Sequence, residues 1–132
     1  MKSVFADTYY FIALINHDDA DHERVTNLAQ TFRAPMVTTE FVLVELADAM
    51  ATEPCRVKMS AIVETLRALP SLKIVPASSH WIDAGFSLYS SRKDKEWSLT
   101  DCISFEVMWR FNLQDALTHD HHFRQAGFQV LL

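Results

Sequence analysis

Apart from Asp7 and Thr8, every residue from Val4 to Ile15 is apolar. A run this continuous leaves no solvated face on a strand or on a helix, so the elements it forms must be buried all round. Val4-Phe5-Ala6 reads as a short strand and Tyr9 to Ile15 as a helix. Asp7 then falls at the carboxyl end of the strand, where open α/β sheets bind their ligands. A carboxylate is costly to bury there without compensation. Whatever compensates Asp7 sets the chemistry of the chain.

The rest of the sequence repeats this alternation. Asn16 to Asp21 is polar and reads as a turn, after which Val25, Leu28, Ala29 and Phe32 recur at helical spacing over Asp21 to Phe32. Ala34-Pro35 breaks that helix before a very short strand at Met36-Val37. Thr38 or Thr39 suits the N-cap of a helix carrying Phe41, Val42, Leu43, Val44, Leu46, Ala49 and Met50. Pro54 ends it, and Val57, Ile62, Leu66 and Leu69 mark the next helix, with Ala61 on the same side. Pro70 stops that one before a strand at Leu72-Lys73-Ile74-Val75.

Ser78 or Ser79 caps a helix containing Trp81, Ile82, Ala84, Phe86, Leu88 and Tyr89, and a charged loop follows from Ser91 to Trp97. Ser98-Leu99-Thr100-Asp101 opens an apolar helix that runs to about Trp109. A strand at Asp115 to Thr118, a short helix from His119 to Ala126, a C′ glycine at Gly127 and a last strand from Phe128 to Leu131 complete the pattern. Strands alternating with helices imply an α/β fold whose mostly parallel sheet is covered on both faces. No repeat or linker interrupts it, so residues 1–132 read as a single domain.

Composition narrows the function classes. With only 2 glycines and 4 prolines the chain is neither a β-sandwich nor a disordered tail. No run reaches the ~18 uncharged apolar residues of a membrane span, and the lone Lys2 ahead of Asp7 does not make a signal peptide. Cys55 and Cys102 stand apart with no Cys-x-x-Cys spacing, which suits reduced thiols in a cytoplasmic protein. The formal charge of −5 is awkward for a nucleic-acid reader. Bound divalent cations and local basic patches would offset it.

Four acids fall at strand ends or inside apolar runs. Asp7 ends the first strand, and Glu45 is the one charge in Phe41-Val42-Leu43-Val44-Glu45-Leu46-Ala47. Asp101 sits in the first turn of an apolar helix, and Asp120 follows the fourth strand. In a parallel sheet these junctions can converge on one edge, where four carboxylates would hold some protons near neutral pH unless a cation joined them. Mg²⁺ or Mn²⁺ suits such a set of hard oxygen ligands. The chemistry that needs the arrangement is phosphodiester hydrolysis, in which the metal polarises the phosphate, lowers the pKa of the attacking water and neutralises the leaving oxygen. Thr8, Thr100 and Thr118 neighbour three of these acids and could orient carboxylates or water. Each acid also has an ordinary reading: Asp101 and Asp120 as first-turn charges favoured by the helix dipole, Glu45 as the partner of an arginine such as Arg24.

These pieces resemble the PIN-domain family, and especially its VapC-type toxin ribonucleases. Four stretches match in order: Val4-Phe5-Ala6-Asp7-Thr8, then Thr38-Thr39-Glu40-Phe41-Val42-Leu43-Val44-Glu45-Leu46, Trp97-Ser98-Leu99-Thr100-Asp101-Cys102, and Ala116-Leu117-Thr118-His119-Asp120-His121-His122-Phe123 continuing to Gly127-Phe128. The resemblance implies a three-layer α/β/α sandwich and a metal-dependent endoribonuclease whose acids correspond to Asp7, Glu45, Asp101 and Asp120. It also implies a homodimer and inhibition by a small antitoxin protein. Glu40 competes for the second acid position, but at a helix start it suits a solvated cap.

His119, His121 and His122 do not follow a His-Glu-x-x-His pattern and read as exposed helix-start residues, with His122-Phe123 anchoring the short helix by packing. Arg92, Lys93 and Lys95, near Trp97, form the strongest basic cluster and could hold RNA phosphates while an aromatic stacks on a base. The interleaved Asp94 and Glu96 equally suit a solvated loop. Trp81, Phe86 and Tyr89 form a stripe suited to core or dimer interface. No Gly-x-Ser-x-Gly and no glycine-rich phosphate loop occurs. The competing functional reading is a PIN-like module that binds RNA or protein with little catalysis.

Overall fold

The computed structural model describes residues 2–132. Five strands, β1 (Val4–Ala6), β2 (Met36–Thr39), β3 (Leu72–Val75), β4 (Asp115–Leu117) and β5 (Gln129–Val130), pair in the order β3-β2-β1-β4-β5, and every pairing is parallel. Between them run α1 (Thr8–Ile15), α2 (His22–Thr31), α3 (Glu40–Ala49), α4 (Met59–Ala68), α5 (Ser79–Ser91), α6 (Leu99–Arg110) and α7 (His121–Gln125). Val4, Phe5 and Ala6 point alternately to opposite faces of the sheet, and all three are at most 3% exposed. Helices therefore cover both faces, giving the three-layer α/β/α sandwich.

The order of strands positions the site. From β1 the chain builds outward through β2 and β3, then returns to lay β4 and β5 on the other side. The direction of winding reverses between β1 and β4, which is where an open parallel sheet leaves a crevice at its carboxyl ends. Asp7 leaves β1 and Thr118 leaves β4 at that crevice, and the Asp7 N–H still bonds the Leu117 carbonyl at 3.3 Å.

Local chemistry sets the element ends. β2 runs two residues further than its apolar core predicts, through Thr38 and Thr39. The buried Thr38 hydroxyl donates to the Ala6 carbonyl at 2.8 Å and ties the two strand ends together. Thr39 is then the N-cap of α3, accepting the Val42 N–H at 3.1 Å. Val57 departs from the expected helix: it lies in a 3₁₀ turn at Arg56–Lys58, 70% exposed, and the following helix begins at the buried Met59. Near the carboxyl end β4 stops at Leu117, α7 is confined to His121–Gln125, and β5 covers only Gln129–Val130.

Two packing features hold the site-bearing helices in place. Gly85 of α5 lies so close to α6 that a Cβ there would collide with the Ile103 side chain. Under α6 and α7, Phe105 meets Phe123 edge-on with ring centroids 4.9 Å apart, and Trp97 stacks edge-on against Phe105 at 5.0 Å. This aromatic cluster joins the helix that carries Asp101 to the one that begins after Asp120.

Candidate active site

Asp7 occupies the N-cap position of α1, yet its side chain caps nothing. The carboxylate turns into the crevice and accepts the Thr118 hydroxyl, Oγ1 to Oδ2, at 3.0 Å. The same Thr118 oxygen accepts the Asp120 N–H at 3.1 Å, so one threonine links the acid after β1 to the acid after β4. Thr8, the first residue of α1, donates its hydroxyl to Glu45 of α3. Asp101 is the third residue of α6, where it completes a capping box with Ser98: its N–H bonds Ser98 Oγ at 3.0 Å and its Oδ2 accepts the Ser98 N–H at 3.4 Å. Asp120 is the N-cap of α7 and accepts the His122 N–H at 2.9 Å. Asp101 and Asp120 thus serve as cap-region charges and as members of the cluster at once.

The structure brings all four acids to one open cleft of about 600 Å³ at the carboxyl end of the sheet, with Thr8, Tyr9, His119, His121 and His122 also on its walls. Among the described residues the lining holds no lysine or arginine. Arg24 does not reach Glu45; it pairs with Asp21 at 2.8 Å. Glu40 lies outside the cleft, where it accepts Arg67 at 3.0 Å and the Ala77 N–H at 2.7 Å. Thr100 is half-buried on α6 and, among the described residues, makes no side-chain hydrogen bond to an acid.

The electrostatics follow first from burial. Asp7 is 5% exposed, and desolvation lifts its carboxyl from 3.8 to about 7. The Thr8 backbone N–H opposes that rise, and the nearby Asp101 and Glu45 charges add to it. Burial, with Asp101 and Asp120 close by, also raises Glu45 above the usual carboxylate range against the pull of the Thr8 hydroxyl. Asp101 is raised by burial first and by Asp120 second.

Histidine 122 is the residue that the sequence reading misplaced. It is half-buried rather than on the solvated helix start, and its Nδ1 lies 3.2 Å from Asp101 Oδ2 and 3.4 Å from Asp120 Oδ1. Capping by Asp120 folds the chain so that His122 points back over α6 while Phe123 enters the aromatic core. A histidine two residues after a capping acid, followed by a large apolar residue, is the signal that could have found it. Tyr9 and His119, also lining the cleft, pack with their rings tilted and centroids 4.1 Å apart, and the Tyr9 hydroxyl donates to Asp21.

The basic cluster lies beside this cleft, in a groove of about 860 Å³ lined by Phe86, Tyr89, Arg92, Lys93, Lys95 and Trp97 among others. Glu96 and Ser98 line both cavities. Arg92 is already engaged, forming a two-pronged pair with Asp94 at 2.9 and 3.0 Å and lying over the Trp97 ring. Lys95 reaches Asp94 at 3.9 Å, and Lys93 is exposed. Trp97 is only 4% exposed and bonded to Gln125, so it is closed to base stacking; Phe86 and Tyr89 are about half exposed. Of the aromatic stripe, Trp81 packs against the core, while Phe86 and Tyr89 do not belong to it.

A sequence model of the PIN domain matches residues 4–129. The chain is 24% identical over 125 residues to the 23S rRNA-specific endonuclease VapC20 of Mycobacterium tuberculosis, covering 95% of each protein. The crystal structure of M. tuberculosis VapC20, described as a Sarcin-Ricin loop cleaving toxin, superposes with a TM-score of 0.85 at 22% identity, covering 95% of both chains. DNA-bound VapBC from Salmonella typhimurium superposes with a TM-score of 0.66 at 16% identity over 99% of this chain and 98% of that one. These superpositions match the parallel sheet and its helical layers.

Proposed function

Since this chain belongs to the PIN domain family, we propose that it is a divalent-metal-dependent endoribonuclease, the toxin of a toxin–antitoxin pair. The observation that carries this reading is the convergence of Asp7, Glu45, Asp101 and Asp120 in a cleft that, among the described residues, is lined by no lysine or arginine. The VapC20 relative is named as an rRNA endonuclease, and a structural neighbour from Klebsiella pneumoniae is described as a toxin-antitoxin complex. Both support an RNA substrate and a small antitoxin protein. Two unpaired cysteines, Cys55 and Cys102, fit a cytoplasmic location. No helix among the described residues is long and apolar enough to cross a membrane.

The donor set fits Mg²⁺ or Mn²⁺: clustered carboxylate oxygens, two of them well buried, with hydroxyls that orient them without neutralising them. Asp7 and Asp101 would hold the ion, with Glu45 and Asp120 completing its surroundings. When bound, the metal supplies charge to the phosphate, acidity to the attacking water and neutralisation to the leaving oxygen. Thr118 fixes the Asp7 carboxylate in one rotamer and ties it to the Asp120 backbone, and Thr8 does the same for Glu45. Glu45, raised and reached from the cleft, is the carboxylate suited to take a proton from the attacking water. Ser98, through its capping box, sets the direction of Asp101. Thr100, lacking a bond to any acid, would act only through water.

Lys93, with Arg92 and Lys95 behind it, would hold phosphates of the RNA strand as it enters along the groove that shares Glu96 and Ser98 with the cleft. Pairing of two copies through Ile82, Phe86 and Tyr89, exposed on α5, would give the homodimer. The decisive experiment incubates chelator-treated protein with total RNA, with and without Mg²⁺ or Mn²⁺, and maps the cut ends. Metal-restored cleavage that Asp7→Asn and Asp101→Asn abolish is the expected result. No metal-dependent turnover would leave a binding module in its place, and undiminished cleavage by either variant would take the catalysis away from this acid set.

A further inference from the structure

His121 and His122 are outside the acid set that the proposed reaction uses, and they stand at the rim of the same cleft. Ligand atoms of Asp120, His121 and His122 all lie within 4.8 Å of one another. Their spacings are regular. His122 Nδ1 is 3.2 Å from Asp101 Oδ2 and 3.4 Å from Asp120 Oδ1, and His121 Nδ1 is 3.7 Å from Asp120 Oδ1. A tetrahedral ion with bonds of about 2.0–2.1 Å separates its donor atoms by about 3.3–3.4 Å. The His122–Asp120 spacing of 3.4 Å falls on that edge length, and the His121–Asp120 spacing of 3.7 Å reaches it with a small turn of the exposed His121 ring.

We propose that Asp120, His121 and His122 form a mixed nitrogen–oxygen site for a divalent transition ion of the Zn²⁺ or Co²⁺ class, beside the all-carboxylate position at Asp7. The donor chemistry selects the ion. Imidazole suits Zn²⁺ and its neighbours in the transition series, whereas Mg²⁺ prefers oxygen ligands and retains much of its water. Placement favours access as well: His121 is exposed at the mouth of the cleft, while Asp101 is buried within it, so the site opens outward. An ion held there would neutralise Asp120 and lie near Asp101, which His122 contacts at 3.2 Å. It would therefore change the charge that the inner position presents to its own cation. The inference rests on the cleft being a cation site and adds a second, chemically distinct position to it.

Co²⁺ alone is the probe, because tetrahedral nitrogen–oxygen ligation gives it an intense visible absorption band where the octahedral aqueous ion absorbs only weakly. Tag-free, chelator-washed protein titrated with Co²⁺ is expected to develop that band, and Zn²⁺ to displace it. His121→Ala and His122→Gln should each weaken Co²⁺ binding by ~10-fold or more, while Asp7→Asn retains the band. Because the His121 side chain is 69% exposed, loss of binding in His121→Ala reports ligation and not unfolding. Equal Co²⁺ binding in both histidine variants, loss of the band in Asp7→Asn, or no band in the intact protein would overturn the proposal. A Mg²⁺-induced rise in melting temperature, followed in the same variants, reports the inner position separately: its persistence when the Co²⁺ result fails would refute the histidine site alone, and its absence would count against the proposed function.

Discussion

Glu40 and Glu45 stand little more than one turn apart on α3 and meet opposite surroundings. Glu40 accepts the Ala77 N–H and the Arg67 guanidinium, and those bonds hold its carboxyl below the usual range. Glu45 faces Asp101 and Asp120 with only the Thr8 hydroxyl as a partner, and burial holds it above that range. On one side of the helix the protein supplies its own positive charge; on the other it supplies hydroxyls, which orient a carboxylate without neutralising it. The difference separates an acid that the protein pairs with its own positive charge from one that it only orients. Asp7 extends the same contrast into the core of the sheet, with Thr118 where Glu40 has an arginine.

The sharpest way to break the contrast is to remove the charge on each side in turn. Glu45→Gln should lower metal-dependent RNA cleavage by more than ~100-fold, since even partners one layer behind a metal ligand are worth ~10–100-fold. Initial-rate assays on a defined RNA would show this. Thr118→Val keeps the shape of that side chain and deletes the hydroxyl, and it should cost ~10–100-fold in activity or metal affinity in the same assay.

A third expectation concerns stability rather than turnover. Because the folded-state pKa of Asp7 is raised from 3.8 to about 7, the folded protein retains a proton that the unfolded chain releases. Stability of the metal-free protein should therefore be fully present below about pH 4 as far as Asp7 is concerned, and fall as pH rises through about 7. Urea unfolding in chelator across that range measures the slope, and Asp7→Asn should flatten it. Glu40→Gln should have the smallest effect: its pair with Arg67 is a partly exposed surface contact, worth about 0–1 kcal/mol, and cleavage should not change.

How much of this was legible beforehand depends on what kind of signal each residue carried. Asp7 and Glu45 could be read from sequence because each is a lone charge within continuous apolar residues, and burial of such a charge is costly wherever the chain folds. The parallel order of the strands followed from their alternation with helices. Asp101 and Asp120 were ambiguous, and rightly so: each makes the cap contacts that the bland reading required and also faces the cleft. Residues whose role depends on side-chain direction were not legible. His122 reaches Asp101 only because Phe123 is drawn into the aromatic cluster under α6, and Trp97 is closed off by the same packing. Thr100 looked like Thr8 and Thr118 in sequence, yet only the latter two are bonded to acids of the cleft. Val57 matched a helical period by number alone, and the 3₁₀ turn ahead of α4 leaves it in solvent.

The central claim is that repulsion among the buried acids is relieved by a divalent ion held in the cleft. Melting temperature at pH 7.5 as a function of Mg²⁺ or Mn²⁺, for the chelator-treated protein beside Asp7→Asn, tests it most directly. A ligand that binds only the folded state raises stability with its concentration, so the native protein should melt progressively higher as metal is added. Asp7→Asn should start higher and respond weakly. A melting temperature that neither metal moves, or a metal response that Asp7→Asn shares in full, would contradict the account.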